Sequence, residues 1–164
     1  MKRECGECSL CCKVMGVPEV KPERHSWCPH ADPGRGCKIY EKRPLPCQQF
    51  VCLWLIDEKL GEHWYPAKSK ILIDYRDNVL CFVVDPAYPR RWLEQPWLDD
   101  IKTLARHGHK TGKWSTAVLV KGDRIPVLAG PAVRLAPASR LAPGSAPSLP
   151  SGLLRSIGTH TPTT

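Results

Sequence analysis

Eight of the chain's nine cysteines are crowded between Cys5 and Cys52. They run Cys5-Gly-Glu-Cys8-Ser-Leu-Cys11-Cys12, then Cys28, Cys37, Cys47 and Cys52. A thiolate is a nucleophile, a redox group and a soft metal ligand. On a helix, steps of about 100° put Cys5, Cys8 and Cys12 within a wedge of roughly 60°, with Cys11 further round. In a loop, cysteines separated by two residues also converge, as they do around iron–sulfur clusters. Adjacent side chains diverge, so Cys11 and Cys12 are expected to serve different ligands, or one serves while the other packs. Pro29 after Cys28 and Gly36 before Cys37 predict loops that fold onto a metal. Cys47 and Cys52 bracket Gln48-Gln49-Phe50-Val51 and are expected at the start of a helix through Trp54 and Leu55, whose N-terminus favours thiolates.

Eight such ligands fill two tetrahedral sites, one binuclear thiolate cluster, or one four-iron cluster with cysteines to spare. Spacing does not choose among them. The expected metal is zinc or iron, the latter including an iron–sulfur cluster. Disulfides are the competing use of clustered cysteines. The N-terminus has no apolar h-region, so no secretory signal is expected, and the expected location is the cytoplasm. The apolar run Val79–Val84, like every other, is far too short to span a bilayer.

The 24 basic and 16 acidic side chains give a formal charge of +8 with every thiol neutral. Eight thiolates around two divalent ions would lower this to about +4. The charge is also spread evenly: residues 1–60 carry 10 basic and 8 acidic groups, and residues 61–128 carry 11 and 8. No dense Lys/Arg run tracks phosphates, which argues against a nucleic-acid partner. Lys102, Arg106, His109 and Lys110 read as a solvated helix face. A metal ion is the expected partner, and a protein partner is left open.

These residues resemble a known family. Cys5-x2-Cys8-x2-Cys11-Cys12, Cys28-Pro29 and Cys37-x-Ile39-Tyr40-Glu41-x-Arg43-Pro44-x2-Cys47-x2-Phe50-x-Cys52-x-Trp54 are similar to the YkgJ-type cysteine-cluster proteins, small bacterial proteins with a CxxCxxCC zinc- or iron-chelating domain. Weaker likeness continues through His63-Trp64, Pro66-x-Lys68-Ser69-Lys70, Val84-Asp85-Pro86 and Trp92, so it covers roughly residues 1–128. The resemblance implies that the eight clustered cysteines are metal ligands. A related cluster in flagellin lysine N-methylases implies an alternative, an iron–sulfur redox or methyl-transfer enzyme. No S-adenosylmethionine pocket is legible here. Gln48 stands where the family often has Arg, and nothing after Leu128 has a counterpart.

Elements must position these thiols. Composition divides the chain into a cysteine-rich region of short helices and loops (1–60), the remainder of the same domain (61–128) and a Pro-rich tail (129–164) without cysteine, aromatic or acid, expected to be disordered. The middle segment holds eight of the twelve aromatics. Ile71–Tyr75 and Val79–Val84 flank Arg76-Asp77-Asn78 and predict a hairpin. Trp97, Leu98, Ile101, Leu104 and Ala105 predict a packing helix from Pro96, with Gly108 as its stop. Ser115–Val120 and Ile125–Leu128 around residues 121–124 predict a second hairpin. The fold class is therefore α+β.

Around the cluster, Trp27, Phe50 and Trp54 are expected to cover the metal, and Tyr40 and Arg43 to brace it. Cys81 alternates with Val79 and Val83 and reads as a small buried hydrophobe. His30 is a weak candidate ligand, and His25 and His63 are weaker. His107 and His109 suit a helix C-terminus.

Overall fold

The computed structural model describes residues 3–21, 23–129, 134–137 and 139–140. Short elements come first: α1 (Cys11–Val14), the two-stranded pair β1 (Ala31–Asp32) and β2 (Gly36–Cys37), α2 (Leu45–Gln49), α3 (Leu53–Ile56) and α4 (Pro66–Ser69). A sheet and one long helix follow: β3 (Ile71–Arg76), β4 (Val79–Val84), α5 (Trp97–Thr111), β5 (Ser115–Val120) and β6 (Asp123–Leu128). The α+β class expected from the sequence is the one observed.

Both hairpins form, with tighter turns than the sequence implied. Asp77 and Asn78 both take positive φ (49° and 59°), as do Lys121 (51°) and Gly122 (89°). Two consecutive left-handed residues make the two-residue turn whose twist matches the flanking strands. Arg76, Asp123 and Arg124 thereby belong to strands. The hairpins join side by side through a parallel β4–β5 pairing, Val79 opposite Ser115 and Val84 opposite Val120. A parallel pair needs a long crossover, and α5 supplies it.

The register sets two faces. Ile73, Phe82, Val118 and Ile125 lie in one row. This face meets α5, which buries Trp97, Ile101 and Ala105, and the indole of Trp64, 5.4 Å from the Phe82 ring. Burying Phe82 fully is worth about 1.5–3 kcal/mol. The other face, carrying Leu72, Asp74, Arg76 and Cys81, backs the cysteine-rich region, where α3 packs on β3. There Asp74 and Arg76 pair at 2.6 Å. Cys81 sits opposite Asp74, half-buried rather than fully so, and burial pushes its thiol up to about 11. Lys13, beside Cys12, reaches Asp85 at the end of β4 at 2.6 Å, a largely buried ion pair that pins the two halves together.

Among the described residues, parts of the tail expected to be disordered form strands. Two short strands, β7 (Arg134–Leu135) and β8 (Ser139–Arg140), pair with the outer edge of β6. Backbone groups along an open strand edge accept partners whatever their side chains, which composition does not reveal. The rest of the tail lies outside the described residues.

Helix α5 does not stop at Gly108. It continues to Thr111 and is closed by Gly112 in the left-handed conformation (φ 64°), whose N–H returns to the helix C-terminus. Gly108 is instead the seat of Trp114: a Cβ there would overlap the indole. Replacing a mid-helix Gly by Ala ordinarily stabilises by about 1 kcal/mol. Here the sign reverses. Gly108→Ala is expected to cost about 1–3 kcal/mol by overpacking, read as a fall in the urea midpoint, and Gly108→Ala with Trp114→Leu should recover most of it. A stabilised single variant would show that Trp114 does not pack there.

Candidate metal centre

All eight clustered cysteines line one cleft of about 1040 Å³, between α1, the β1–β2 pair, α2 and α3. The route by which each arrives differs from the helical expectation. Gly6 turns the chain at φ 52°, and the Cys8 N–H donates to the Cys5 carbonyl at 2.9 Å. Helix begins only at Cys11, so Cys5, Cys8 and Cys12 share no helical stripe, and the loop alternative is the one built. Cys47 and Cys52 also share no helix. Cys47 lies in α2, the chain extends at Phe50, and Cys52 precedes α3. Five helical steps turn through about 500°, leaving two such side chains roughly 140° apart. The break between α2 and α3 lets both reach the cleft. A one-turn helix also has little dipole to offer Cys52.

Side chains overlooked in the sequence hold these segments. Arg3 donates to the carbonyls of Trp54 (2.8 Å), Asp57 (2.9 Å) and Leu60 (2.6 Å), with its guanidinium 4.6 Å from the Trp54 ring centroid. It therefore closes the C-terminal end of α3 and seats the N-terminal segment on it. Tyr65 packs against Trp54 in a tilted arrangement, ring centroids 4.7 Å apart, and donates its hydroxyl to the Cys5 carbonyl at 2.8 Å. Lys21, 5% exposed, donates to the carbonyls of Cys12 (3.3 Å), Lys13 (2.9 Å) and Ser26 (2.7 Å). Its three donors are thus spent on α1 and on the loop that leads to Cys28. Lone basic residues in polar loops give no signal of such roles.

Tyr40 and Arg43, expected as braces, both line the cleft and hold each other. Arg43 lies 3.8 Å from the Tyr40 ring centroid and donates from Nε to the Tyr40 carbonyl at 2.8 Å. Gln48 donates to the Arg43 carbonyl at 2.6 Å. Phe50 and Trp54 are walls of the cleft, and His30 joins them. Trp27 does not: it is 43% exposed, with the Lys13 ammonium 5.3 Å from its ring centroid. His63 bonds Asp100 at 2.7 Å, apart from the cleft, and His25 is not in its walls.

Electrostatics tie the thiols together. Burial first, then repulsion from neighbouring thiolates, raises Cys8, Cys37 and Cys47. Burial lifts Cys52 to about 11, against the nearby backbone N–H groups of Trp54 and Ile73. Cys11 is raised well above a normal thiol because it donates its hydrogen bond to Cys12, with burial adding to this. Cys12 is the exception, held down at about 7 by the Cys11 thiol, with Lys21, Cys37 and Arg43 helping against burial. The neighbouring thiolate of Cys5 raises Tyr40. Lys21 is itself lowered by burial.

The residue types suit a thiophilic cation: eight cysteines line one cleft, with few basic groups among them. Among the described residues, no three Cys, His, Asp or Glu side chains already surround a point that one ion could occupy.

No family model, curated protein or solved structure matches the chain. The thiol ordering makes its own prediction for metal-free, reduced protein. Cys12 should be alkylated first, with a rate rising through about pH 7. Cys8, Cys11 and Cys52 should react only well into the alkaline range. Peptide mapping after brief alkylation reads the order, and equal labelling of all eight would contradict it.

Proposed function

We propose that this chain binds zinc or iron through the thiolates of Cys5, Cys8, Cys11, Cys12, Cys28, Cys37, Cys47 and Cys52. The observation that carries the reading is their convergence on one cleft from five separate stretches of chain. An apolar core alone would not need so many thiols at one surface, and all eight are free of disulfides. The resemblance to YkgJ-type proteins points the same way.

A bound cation would offset the charge of sulfurs that otherwise repel one another. The chain's own groups do the rest. Lys21 and Arg3 fix the ligand-bearing loops through carbonyls, and Arg43 adds positive charge beside Cys12. Trp54, Phe50 and Leu72 form the dry side of the cleft. Thiol ligands give up their protons on binding, so affinity falls as pH drops, and the raised thiols extend that dependence further into the alkaline range. Structural thiolate sites of this type add about 10–16 kcal/mol of linked folding energy, and the first 60 residues, with only one-turn helices, are where it would act.

The width of the cleft favours a second reading. About 1040 Å³ matches a small-molecule pocket rather than a bare ion. An iron–sulfur cluster serving redox or methyl-transfer chemistry is the version of the proposal that uses this room.

Metal analysis with a visible spectrum, on protein purified without oxygen, separates the two. Zinc with no visible band supports a closed thiolate site. Iron with sulfide and a broad band near roughly 400 nm supports the cluster. Cys8→Ser should lose metal in either case, and the cysteine-rich region should then be cut by protease at far lower doses than in the wild type. Metal-free protein that resists reconstitution anaerobically, or Cys8→Ser with unchanged metal content, would overturn the reading.

A further inference from the structure

Trp54 belongs to the wall of the cleft and is only 6% exposed. Its ring is held by two residues that also hold the first thiols. The Arg3 guanidinium lies 4.6 Å from the ring centroid, in the segment that leads to Cys5. Tyr65 packs against the ring, centroids 4.7 Å apart, and donates to the Cys5 carbonyl. An indole gripped in this way has little freedom to turn toward a new partner.

Its Nε1–H is nevertheless sealed from water, with no acceptor among the described residues. The indoles beneath the sheet are treated differently. Trp64 donates to Asp100 at 2.8 Å, and Trp97 donates to the His63 carbonyl at 3.1 Å. A buried donor without an acceptor costs folding free energy, and native proteins keep few of them. Trp114 carries another, and packing accounts for it: its Nε1 fills the space where a Cβ on Gly108 would stand. The setting of Trp54 is different because sulfur is close at hand. Cys52 shares its buried cluster, Cys8 and Cys11 pack against that cluster, and all three line the same cleft. A neutral thiol is a weak acceptor, whereas an ionised sulfur is a strong one.

We infer, building on the metal-binding reading, that the Trp54 indole N–H is the donor kept for a cysteine thiolate of the loaded centre. Trp54 is then a positioning residue. It binds no ion, and its hydrogen bond orients a sulfur that does and takes up part of that sulfur's charge. The unpaired donor is a cost of the empty cleft that loading removes.

The test uses the full chain with isotopically labelled tryptophan, first reduced and metal-free, then loaded anaerobically with zinc. Trp54→Phe assigns the Trp54 indole signal. Zinc should move that proton downfield and slow its exchange with water. The indole protons of Trp64, Trp97 and Trp114 should stay in place. A second arm installs benzothienylalanine at position 54, a near-isostere with sulfur in place of the N–H. Its zinc affinity should fall about 10-fold, while its metal-free urea midpoint stays level or rises, because an unpaired donor has been removed. A Trp54 signal unmoved by zinc, or an isostere that binds zinc as tightly as the wild type, would overturn the inference and leave metal binding intact. An isostere equally destabilised with and without zinc would also overturn it, by showing a purely structural N–H. A wild-type chain that takes up neither zinc nor ferrous iron would overturn the metal-binding reading itself.

Discussion

Eight thiols in one partly desolvated cleft is the constraint to which the rest of this molecule answers. A thiolate there loses hydration and feels its neighbours' charge, so almost every cysteine whose titration departs from normal is pushed upward. The basic groups at hand, chiefly Lys21 and Arg43, help bring Cys12 alone below its normal value, and Arg43 only moderates the rise of Cys37 and Cys47. Crowding of this kind is unfavourable for free anions and favourable around a multivalent cation. If the eight cysteines bind metal as proposed, their ionisation brings the chain much closer to neutral than the formal +8.

The fold separates the work of stability from the work of the cleft. Residues from Trp64 onward supply the large buried side chains, with Trp64, Phe82, Ile71, Ile73 and Ile101 at 1% exposure or less. The cysteine-rich third has few such residues and only one-turn helices. It is held to the rest of the chain at discrete points, Lys13 on Asp85 and Tyr65 on Cys5, and tied within itself by Arg3 on the end of α3. Tethers of this kind fix where a loop starts and leaves while letting its sulfurs adjust to an ion. Leu72 and Arg76 belong both to β3 and to the wall of the cleft, so the sheet serves as the rigid back of an otherwise irregular site.

Local patterns in the sequence were informative where local physics decides structure. Asp77-Asn78 made the first hairpin legible, because both residues tolerate the left-handed conformation that its turn requires. The apolar spacing of Trp97, Ile101 and Ala105 made α5 legible. The same reasoning misplaced the end of α5, since Gly108 answers to Trp114, which enters from the next strand's approach. It joined Cys47 and Cys52 into one helix, since nothing local requires the break at Phe50. The parallel β4–β5 pairing and the addition of β7 and β8 to β6 depend on distant backbone groups meeting, and no periodicity encodes that. For the site, the cysteines announced themselves by type and spacing. Their braces Lys21, Arg3 and Tyr65 act through backbone carbonyls of remote residues and left no pattern to read.

X-ray absorption at the metal edge, on protein isolated without added metal, tests the central claim most directly because it reports the atoms bound to the ion. The account predicts a first shell made of sulfur, at about 2.3 Å if the metal is zinc. A first shell of nitrogen and oxygen, with the cysteines recovered as free thiols, would contradict it.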